Sequence, residues 1–149
     1  MSETYEILGI RYATHQERTR ADNFMQADDH ASPQPIDYFI WVIRNANRTI
    51  LLDTGFDQIE ANSRGRSIEI DPSEALSRIG IDGSTIDTVV ISHLHYDHAG
   101  TLDRFPAVRF HVQEAEVALR QALACARTPC VAPIMPIMSA TSCARSIPA

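Results

Sequence analysis

Apolar residues in the first part of the chain fall into short runs that predict β-strands. Residues 5–12 mix β-branched and aromatic side chains, which is typical of a strand. Residues 38–44 and 49–52 are two further apolar runs, and the polar residues 45–48 between them predict a hairpin turn. Residues 14–35 are polar, charged and proline-containing, which predicts a long loop. The first part of the chain is therefore expected to supply three strands of a sheet.

A helix is predicted directly after Asp71. This aspartate can cap the amino terminus of a helix, Pro72 suits the first helical position, and Glu74 completes the pattern of a capping box. Gly80 is expected to end the helix, because glycine readily adopts the left-handed conformation that follows helix ends.

Strand and helix patterns alternate in the rest of the chain. Residues 88–91 and 108–112 are short apolar runs that predict strands. From Gln113 the apolar positions recur at the helical period, which predicts a helix to about Ala124. This order of elements predicts an α/β domain in which helices cover a sheet.

The composition changes abruptly after Ala124. Residues 125–149 contain all three cysteines and half of the eight prolines, but no acidic and no aromatic residue. One interpretation is an irregular tail. The other is a shifted reading frame, because codons can be written for this segment whose shifted frame encodes a more protein-like sequence. Either way, residues 1–124 are predicted to form the domain and residues 125–149 to lie outside it.

Composition and charge exclude several classes of function. A chain of 149 residues, 44% hydrophobic and 21% charged, is typical of one soluble globular domain. Its net charge of −6 argues against nucleic acid and anionic membranes as partners. All 13 basic residues are arginine, which excludes a lysine Schiff base. Without a signal-peptide pattern or a run of roughly 18 apolar residues, a cytoplasmic protein is expected.

Candidate metal-binding chemistry is concentrated directly after the strand predicted at residues 88–91. Three histidines and one aspartate occur there at H-x-H-x-D-H spacing: His93, His95, Asp97 and His98. Imidazole and carboxylate groups are ligands that zinc and similar ions accept. His93 and His95 would share a face of an extended segment, because side chains alternate along it. Asp97 and His98 follow a turn and could face a second ion, so the spacing predicts a site for two divalent ions.

The histidine segment resembles the signature of the metallo-β-lactamase superfamily, and Asp53-Thr54-Gly55 matches a second recurring element of that superfamily. The resemblance covers about residues 5–124 and implies the amino-terminal half of an αββα sandwich. It also implies that Asp53 supports the metal-binding histidines through hydrogen bonds. The surrounding sequence is similar to the N-acyl homoserine lactonase group in particular, at residues 38–43, 48–56, 92–100, 105–106 and 110–113.

The resemblance to lactonases implies a metal-dependent hydrolase that opens a lactone ring. Two divalent ions, expected to be zinc, would hold a bridging hydroxide that attacks the carbonyl of a small lactone or ester. Asp97 would ligate one ion and shuttle a proton to the leaving oxygen. Two alternatives remain open: a thioester hydrolase of the glyoxalase II type, which shares the histidine motif, and a non-catalytic metal-binding remnant.

The sequence departs from the lactonase pattern downstream of the histidine segment. Similar enzymes complete the two metal sites with two further histidines and a bridging aspartate. Here only His111 follows the cluster, no acidic residue follows Glu116, and His111 is expected to pack in a strand. We therefore expect a truncated chain with a half site that binds metal weakly and an exposed inner sheet face. Poor solubility and impaired activity should follow, and oligomerisation is one way in which the site could be completed.

Overall fold

A computed structural model of the chain describes residues 4–26 and 32–127, with side chains described as far as Ala124. The strands are β1 (Glu6–His15), β2 (Ile36–Arg44), β3 (Thr49–Leu52), β4 (Ser67–Ile68), β5 (Thr88–Ile91) and β6 (Arg109–Val112). The helices are α1 (Arg20–Asn23), α2 (Gln58–Arg64), α3 (Pro72–Arg78), α4 (Tyr96–Ala99) and α5 (Glu114–Arg127). The predicted mixture of strands and helices is confirmed.

The six strands form one mixed sheet in the order β4-β1-β2-β3-β5-β6. The predicted hairpin is confirmed, since β2 and β3 pair in an antiparallel register that places Trp41 opposite Leu52. Strands β3, β5 and β6 are parallel to one another. The carboxyl ends of β3 and β5 therefore meet at the same edge of the sheet, which is where the site lies.

The predicted helix ends are largely confirmed, with one difference in the capping pattern. Asp71 caps α3, because its carboxylate accepts a hydrogen bond from the Ser73 amide at 2.9 Å. The Glu74 carboxylate does not complete a capping box and instead binds Arg78, one turn later, at 2.7 Å. Gly80, with φ of 77°, follows the end of the helix as expected.

Other elements differ from the prediction in extent. Strand β1 continues past residue 12 to His15, and α1 lies within the segment that was predicted to be a loop. Helix α5 continues to Arg127, beyond its predicted end near Ala124. Helix α2 and strand β4 were not predicted at all. The irregular or frame-shifted tail was predicted for residues 125–149: residues 125–127 instead continue α5, and residues 128–149 lie outside the described residues.

One face of the sheet packs against helices and forms the hydrophobic core. Its fully buried side chains include Tyr12, Ile40, Val42, Leu51 and Val89 from the strands, with Phe56, Ala61 and Leu76 from the covering segments. Burial of this apolar area is the main stabilising contribution to the fold.

The opposite face of the sheet carries exposed apolar side chains. Phe39 and Trp41 are 39% and 40% exposed, and their ring centroids lie 5.9 Å apart. Ile7, on the neighbouring strand, is 63% exposed. The Trp41 ring lies against Gly9, where a Cβ atom would come within 2.8 Å of it. The described part of the chain thus leaves this face open, as expected from the sequence.

None of the helices in residues 4–26 and 32–127 combines the length and the apolar character that a membrane crossing requires.

Candidate metal centre

The candidate site is built where two neighbouring parallel strands end. Asp53 directly follows β3, and the histidine segment follows β5. The strands are in register, with Leu52 opposite Val90. This pairing brings two segments that are far apart in sequence to the same edge of the sheet.

Asp53 holds the histidine segment through its buried carboxylate. The residue is 4% exposed, and Oδ1 accepts a hydrogen bond from the Ser92 amide at 2.8 Å. Oδ2 accepts a second one from the Ser92 hydroxyl at 2.8 Å and lies 2.7 Å from His98 Nδ1. Burial disfavours the ionised carboxylate, but the hydrogen bonds from His98 and Ser92 outweigh burial and lower the pKa of Asp53. Asp53 is therefore a charged acceptor at neutral pH.

The backbone of Asp53 is in the left-handed region, with φ of 63°. Among the described residues it is the only one other than glycine with a positive φ. Aspartate and asparagine tolerate this conformation better than most side chains do. The conformation is consistent with a position where one particular side chain must meet a neighbouring segment.

The hydrogen bond to Asp53 determines the protonation of His98. An ionised carboxylate only accepts hydrogen bonds, so the proton of a neutral His98 ring is assigned to Nδ1. Nε2 is then the nitrogen with a free lone pair, and it lies 3.3 Å from Asp97 Oδ2. The hydrogen bond to Asp53 also raises the pKa of His98, although burial opposes that shift.

A set of backbone contacts docks the turn that carries Asp97 and His98 onto residues 53–55. The carbonyl of His98 accepts hydrogen bonds from the Thr54 amide at 2.8 Å and the Thr54 hydroxyl at 3.3 Å. The Thr101 hydroxyl donates to the Thr54 carbonyl at 2.8 Å. Thr54 and Thr101 are both almost fully buried. The two recurring elements found in the sequence are thus one hydrogen-bonded unit in space.

Gly100 is needed where these two segments meet. Its amide donates to the Gly55 carbonyl at 2.9 Å. A Cβ atom at position 100 would lie 2.3 Å from the Tyr96 carbonyl oxygen and 2.8 Å from that of Gly55. Because both neighbours are backbone atoms, no side-chain rotation could relieve the clash.

Tyr12 supports the turn from the core. Its hydroxyl donates to the Asp97 carbonyl at 3.2 Å, and the side chain is fully buried. Burial, together with the nearby Asp97 charge, raises the pKa of Tyr12, so the hydroxyl remains a donor at neutral pH.

His93 and His95 complete the cluster but have fewer contacts. The His93 ring centroid lies 4.5 Å from that of His95 and 4.0 Å from that of His98. His93 Nδ1 lies 3.1 Å from the Ser92 hydroxyl, whereas His95 is exposed. Burial and the neighbouring histidines lower the pKa of His93, which favours the neutral form that metals bind.

All four predicted ligands come together, and their donor chemistry suits a divalent metal ion. Their side chains are nevertheless not arranged around a common point: within residues 4–26 and 32–127, no group of three His, Cys, Asp or Glu side chains forms a metal site. His98 Nε2 contacts the Asp97 carboxylate instead. His111 is exposed on β6, where it pairs with Val90.

Sequence reasoning missed the neutral residues that hold the site. Ser92, Thr54, Thr101 and Tyr12 each donate a hydrogen bond to one of the two docked segments. The available signal was the position of the hydroxyl-bearing residues beside the Asp53 and His98 motifs. A buried carboxylate needs donors close to it.

Comparisons with known proteins agree on family and fold. A sequence model of the Metallo-beta-lactamase superfamily matches residues 34–123. The N-acyl homoserine lactonases AiiB of Agrobacterium fabrum and Rhizobium rhizogenes are 32% and 33% identical to this chain over 91 residues. Each match covers 52% of this chain and 33% of the relative. The match therefore spans about a third of the length of these curated relatives.

Solved structures share the fold at low sequence identity. A quorum-quenching N-acyl homoserine lactone lactonase has a TM-score of 0.63 at 19% identity, covering 81% of this chain and 50% of that one. An N-acyl homoserine lactone hydrolase with N-hexanoyl-L-homoserine at its catalytic metal centre has a TM-score of 0.59 at 18% identity. That match covers 81% of this chain and 53% of the hydrolase.

Proposed function

The chain belongs to the metallo-beta-lactamase superfamily, and from this membership we propose that it supplies the metal-binding segment of a lactonase-like hydrolase. The two curated relatives, both N-acyl homoserine lactonases, support this choice. The main observation behind the proposal is the 2.7 Å contact between Asp53 Oδ2 and His98 Nδ1, where His98 is one of three clustered imidazoles. A buried carboxylate that orients a histidine is the usual partner of a metal ligand.

The residues that would hold the metal ions are His93, His95, Asp97 and His98. Divalent ions at such a site supply Lewis acidity and lower the pKa of water. Asp53 keeps the proton of a neutral His98 on Nδ1, so Nε2, which lies 3.3 Å from Asp97 Oδ2, is the nitrogen that would bind a metal ion. Zinc, for which a histidine-rich set of ligands is suited, is part of the proposal.

Asp97 is proposed to move a proton during ring opening. Hydrolysis of a lactone adds water at the acyl carbon and breaks the bond from that carbon to the ring oxygen, which must then receive a proton. The Asp97 side chain is 22% exposed, and its Oδ2 lies 3.3 Å from His98 Nε2. It can therefore hold a proton and return it to the ring oxygen.

The substrate class and the activity of this polypeptide alone are also proposals. A small lactone is the first candidate, and a thioester the second, because thioester hydrolases share the histidine motif. We further propose a cytoplasmic protein without nucleic-acid or membrane partners. With these four ligands, zinc binding should be weak and turnover low, and a non-catalytic remnant is the alternative.

Zinc titration by calorimetry, followed by hydrolysis assays, tests the proposal. The polypeptide would be assayed with N-hexanoyl homoserine lactone and with a thioester, after zinc loading and after chelation. We expect weak zinc binding that His98→Gln abolishes and His111→Gln, the matched histidine outside the cluster, leaves intact. Zinc-dependent lactone opening, even if slow, would support the lactonase assignment.

Four other results would change the proposal. Faster cleavage of the thioester would favour the second substrate class. Zinc binding without hydrolysis of either compound would favour the remnant. Zinc binding that is equally strong in His98→Gln would contradict the assigned ligands. A soluble monomer with turnover typical of enzymes would refute the expected impairment.

A further inference from the structure

Tyr96 lies between two predicted metal ligands, and two arginines hold its side chain. The Arg64 guanidinium lies over the Tyr96 ring, with its central carbon 4.0 Å from the ring centroid. Arg66 Nε donates to the Tyr96 hydroxyl at 3.3 Å. The Phe56 ring packs against Tyr96 with centroids 5.4 Å apart. The ring is therefore contacted from three directions, and we call the two arginines the Arg64–Arg66 clamp.

The end of helix α2 positions both arginines. Arg64 is the last residue of α2, and Gly65 follows in the left-handed conformation with φ of 63°. The Arg66 amide then bonds back to the Ala61 carbonyl at 2.9 Å. This reversal lets side chains only two residues apart approach the same ring, one at its face and one at its hydroxyl. Arg64 is also fixed by an ion pair with Glu60 at 2.7 Å.

The other contacts of Arg66 are also with protein groups, which is consistent with a role in holding Tyr96 in place. One terminal nitrogen lies 3.3 Å from His15 Nε2 and also donates to the Arg64 carbonyl. Arginine only donates hydrogen bonds, so His15 Nε2 must accept here. The cation is thus directed towards the hydroxyls of Tyr96 and Tyr38, an imidazole nitrogen and a backbone carbonyl.

Helix α4, which begins with Tyr96, depends on contacts with the rest of the fold. It has only four residues, Tyr96–Ala99, and a single helical turn is not stable by itself. Tyr12 and Thr54 bind the carbonyls of Asp97 and His98, as described above. Those bonds hold the backbone of Asp97 and His98, whereas the clamp holds the side chain of the first residue.

We propose that Arg64 and Arg66 are positioning residues for the metal-binding turn. By holding the side chain of Tyr96, they fix the orientation in which Asp97 and His98 leave α4. This positioning role rests on the proposed function in one respect, namely that the turn binds metal. The contacts of the clamp are present in the metal-free protein and do not depend on metal binding.

Four variants test the clamp, with Arg66→Lys as a fifth, conservative one. Tyr96→Phe removes only the hydroxyl, Arg66→Met removes the cation, the double variant removes both, and Arg78→Met is a matched surface control. Amide hydrogen exchange of residues 95–100 would be measured by mass spectrometry on the metal-free protein. Zinc affinity would be measured by calorimetry, and urea unfolding would report global stability.

We expect each single variant to exchange about tenfold faster at residues 95–100, in line with loss of one charge-assisted hydrogen bond. Zinc affinity should fall roughly tenfold, as is typical when a residue supporting a ligand is removed. The losses in the double variant should be less than the sum of the two single losses, because both single variants remove the bond between Arg66 and Tyr96. Arg66→Lys, which retains a donor, should recover part of the affinity, and Arg78→Met should match the wild type.

Several results would overturn the proposal. The first is an unchanged rate of amide exchange at residues 95–100 in both single variants. The second is a loss of zinc affinity in the double variant that equals the sum of the two single losses. The third is a lower global stability with an unchanged zinc affinity. If the wild type binds zinc but hydrolyses neither lactone nor thioester, the proposed function fails while the clamp is still judged by affinity. If the wild type binds no zinc, the rates of amide exchange at residues 95–100 are the only test of the clamp.

Discussion

The two pairs of predicted ligands differ in how the fold holds them. Asp97 and His98 lie on a turn whose carbonyls accept hydrogen bonds from Tyr12 and Thr54, and His98 is bonded to the buried Asp53. These partners come from β1 and from the end of β3, far away in sequence. One half of the candidate site is therefore arranged without any metal ion.

The backbone between His93 and His95 is bonded to α5, because the Leu94 amide donates to Glu116 at 3.2 Å and the Leu94 carbonyl accepts from Arg120. The rings of the two histidines lack comparable support. In the described part of the chain the His93 ring contacts Ser92 and two other histidines, and the exposed His95 ring contacts His93. The comparison shows that the H-x-H-x-D-H motif is not one uniform unit. The fold holds both the backbone and the His98 ring of its second half, whereas in its first half it holds the backbone and leaves the two rings to be oriented by a metal ion or by further protein groups.

The largest expected effect comes from breaking the docking of the supported half. Gly100→Ala would place a Cβ 2.3 Å from the Tyr96 carbonyl oxygen and 2.8 Å from that of Gly55, so the turn must distort and also separate from residues 53–55. We expect a loss of about 3 kcal/mol in the free energy of unfolding, at the upper end for overpacking. Urea unfolding measures it. Gly83→Ala, where the nearest atom would be an ordinary 3.7 Å away, should change little; equal effects of the two changes would contradict the argument.

Removing the charge that orients His98 should have the next largest effect. Asp53→Asn retains a residue that tolerates positive φ but lacks the ionised acceptor for His98 and Ser92. Zinc affinity should fall roughly 10- to 100-fold, as for other residues that support metal ligands. Calorimetry measures it, with Asp82→Asn, a capping aspartate elsewhere, as the control. Unchanged affinity would mean that Asp53 does not prepare the site.

The comparison becomes sharpest when one histidine is removed from each half. In chelator-treated protein, His98→Ala leaves the buried Asp53 carboxylate without its ring partner and should cost roughly 1–3 kcal/mol. His95→Ala removes an exposed ring and should change stability by no more than about 0.5 kcal/mol. Urea unfolding of both variants at pH 7 decides. Similar losses would show that the two halves are equally embedded.

The smallest effect concerns His15, which contacts the clamp beside the supported half. Burial, with Arg66 and Arg18 nearby, lowers its pKa, and Glu17 and Asp22 oppose the shift. Because folding lowers this pKa, the unfolded chain binds more protons, and stability rises with pH. The contribution is fully present above the unfolded pKa, about 6.5, and is lost as the pH falls through the folded pKa.

A pH series of urea unfolding isolates the contribution of His15. His15→Gln keeps an acceptor for Arg66 but does not titrate, so its stability should depend less steeply on pH below about 6.5. The other titrating groups are common to both proteins and cancel in the difference. Parallel pH profiles would refute the assignment.

Sequence patterns were sufficient for five of the six strands and for the clustering of His93, His95, Asp97 and His98, whose role as metal ligands stays a prediction. Strand β5 is a continuous apolar run, and the spacing of His93 to His98 is itself a chemical pattern. Helix α2 was missed because Ala61 is its only buried residue, so no apolar period marks it. Strand β4, with two residues, carries no period either. The clamp was unpredictable, because it depends on where α2 ends relative to Tyr96. The metal-supporting role of Asp53 stays a prediction.

The exposed face of the sheet contains a built-in spectroscopic probe. Trp41 is the only tryptophan among the 149 residues, and it lies 40% exposed beside Phe39 on that face. The tryptophan emission of the whole protein therefore reports the solvation of one surface. Whatever covers that surface should shift the emission to shorter wavelengths, whereas changes at the histidine cluster alone should leave it constant.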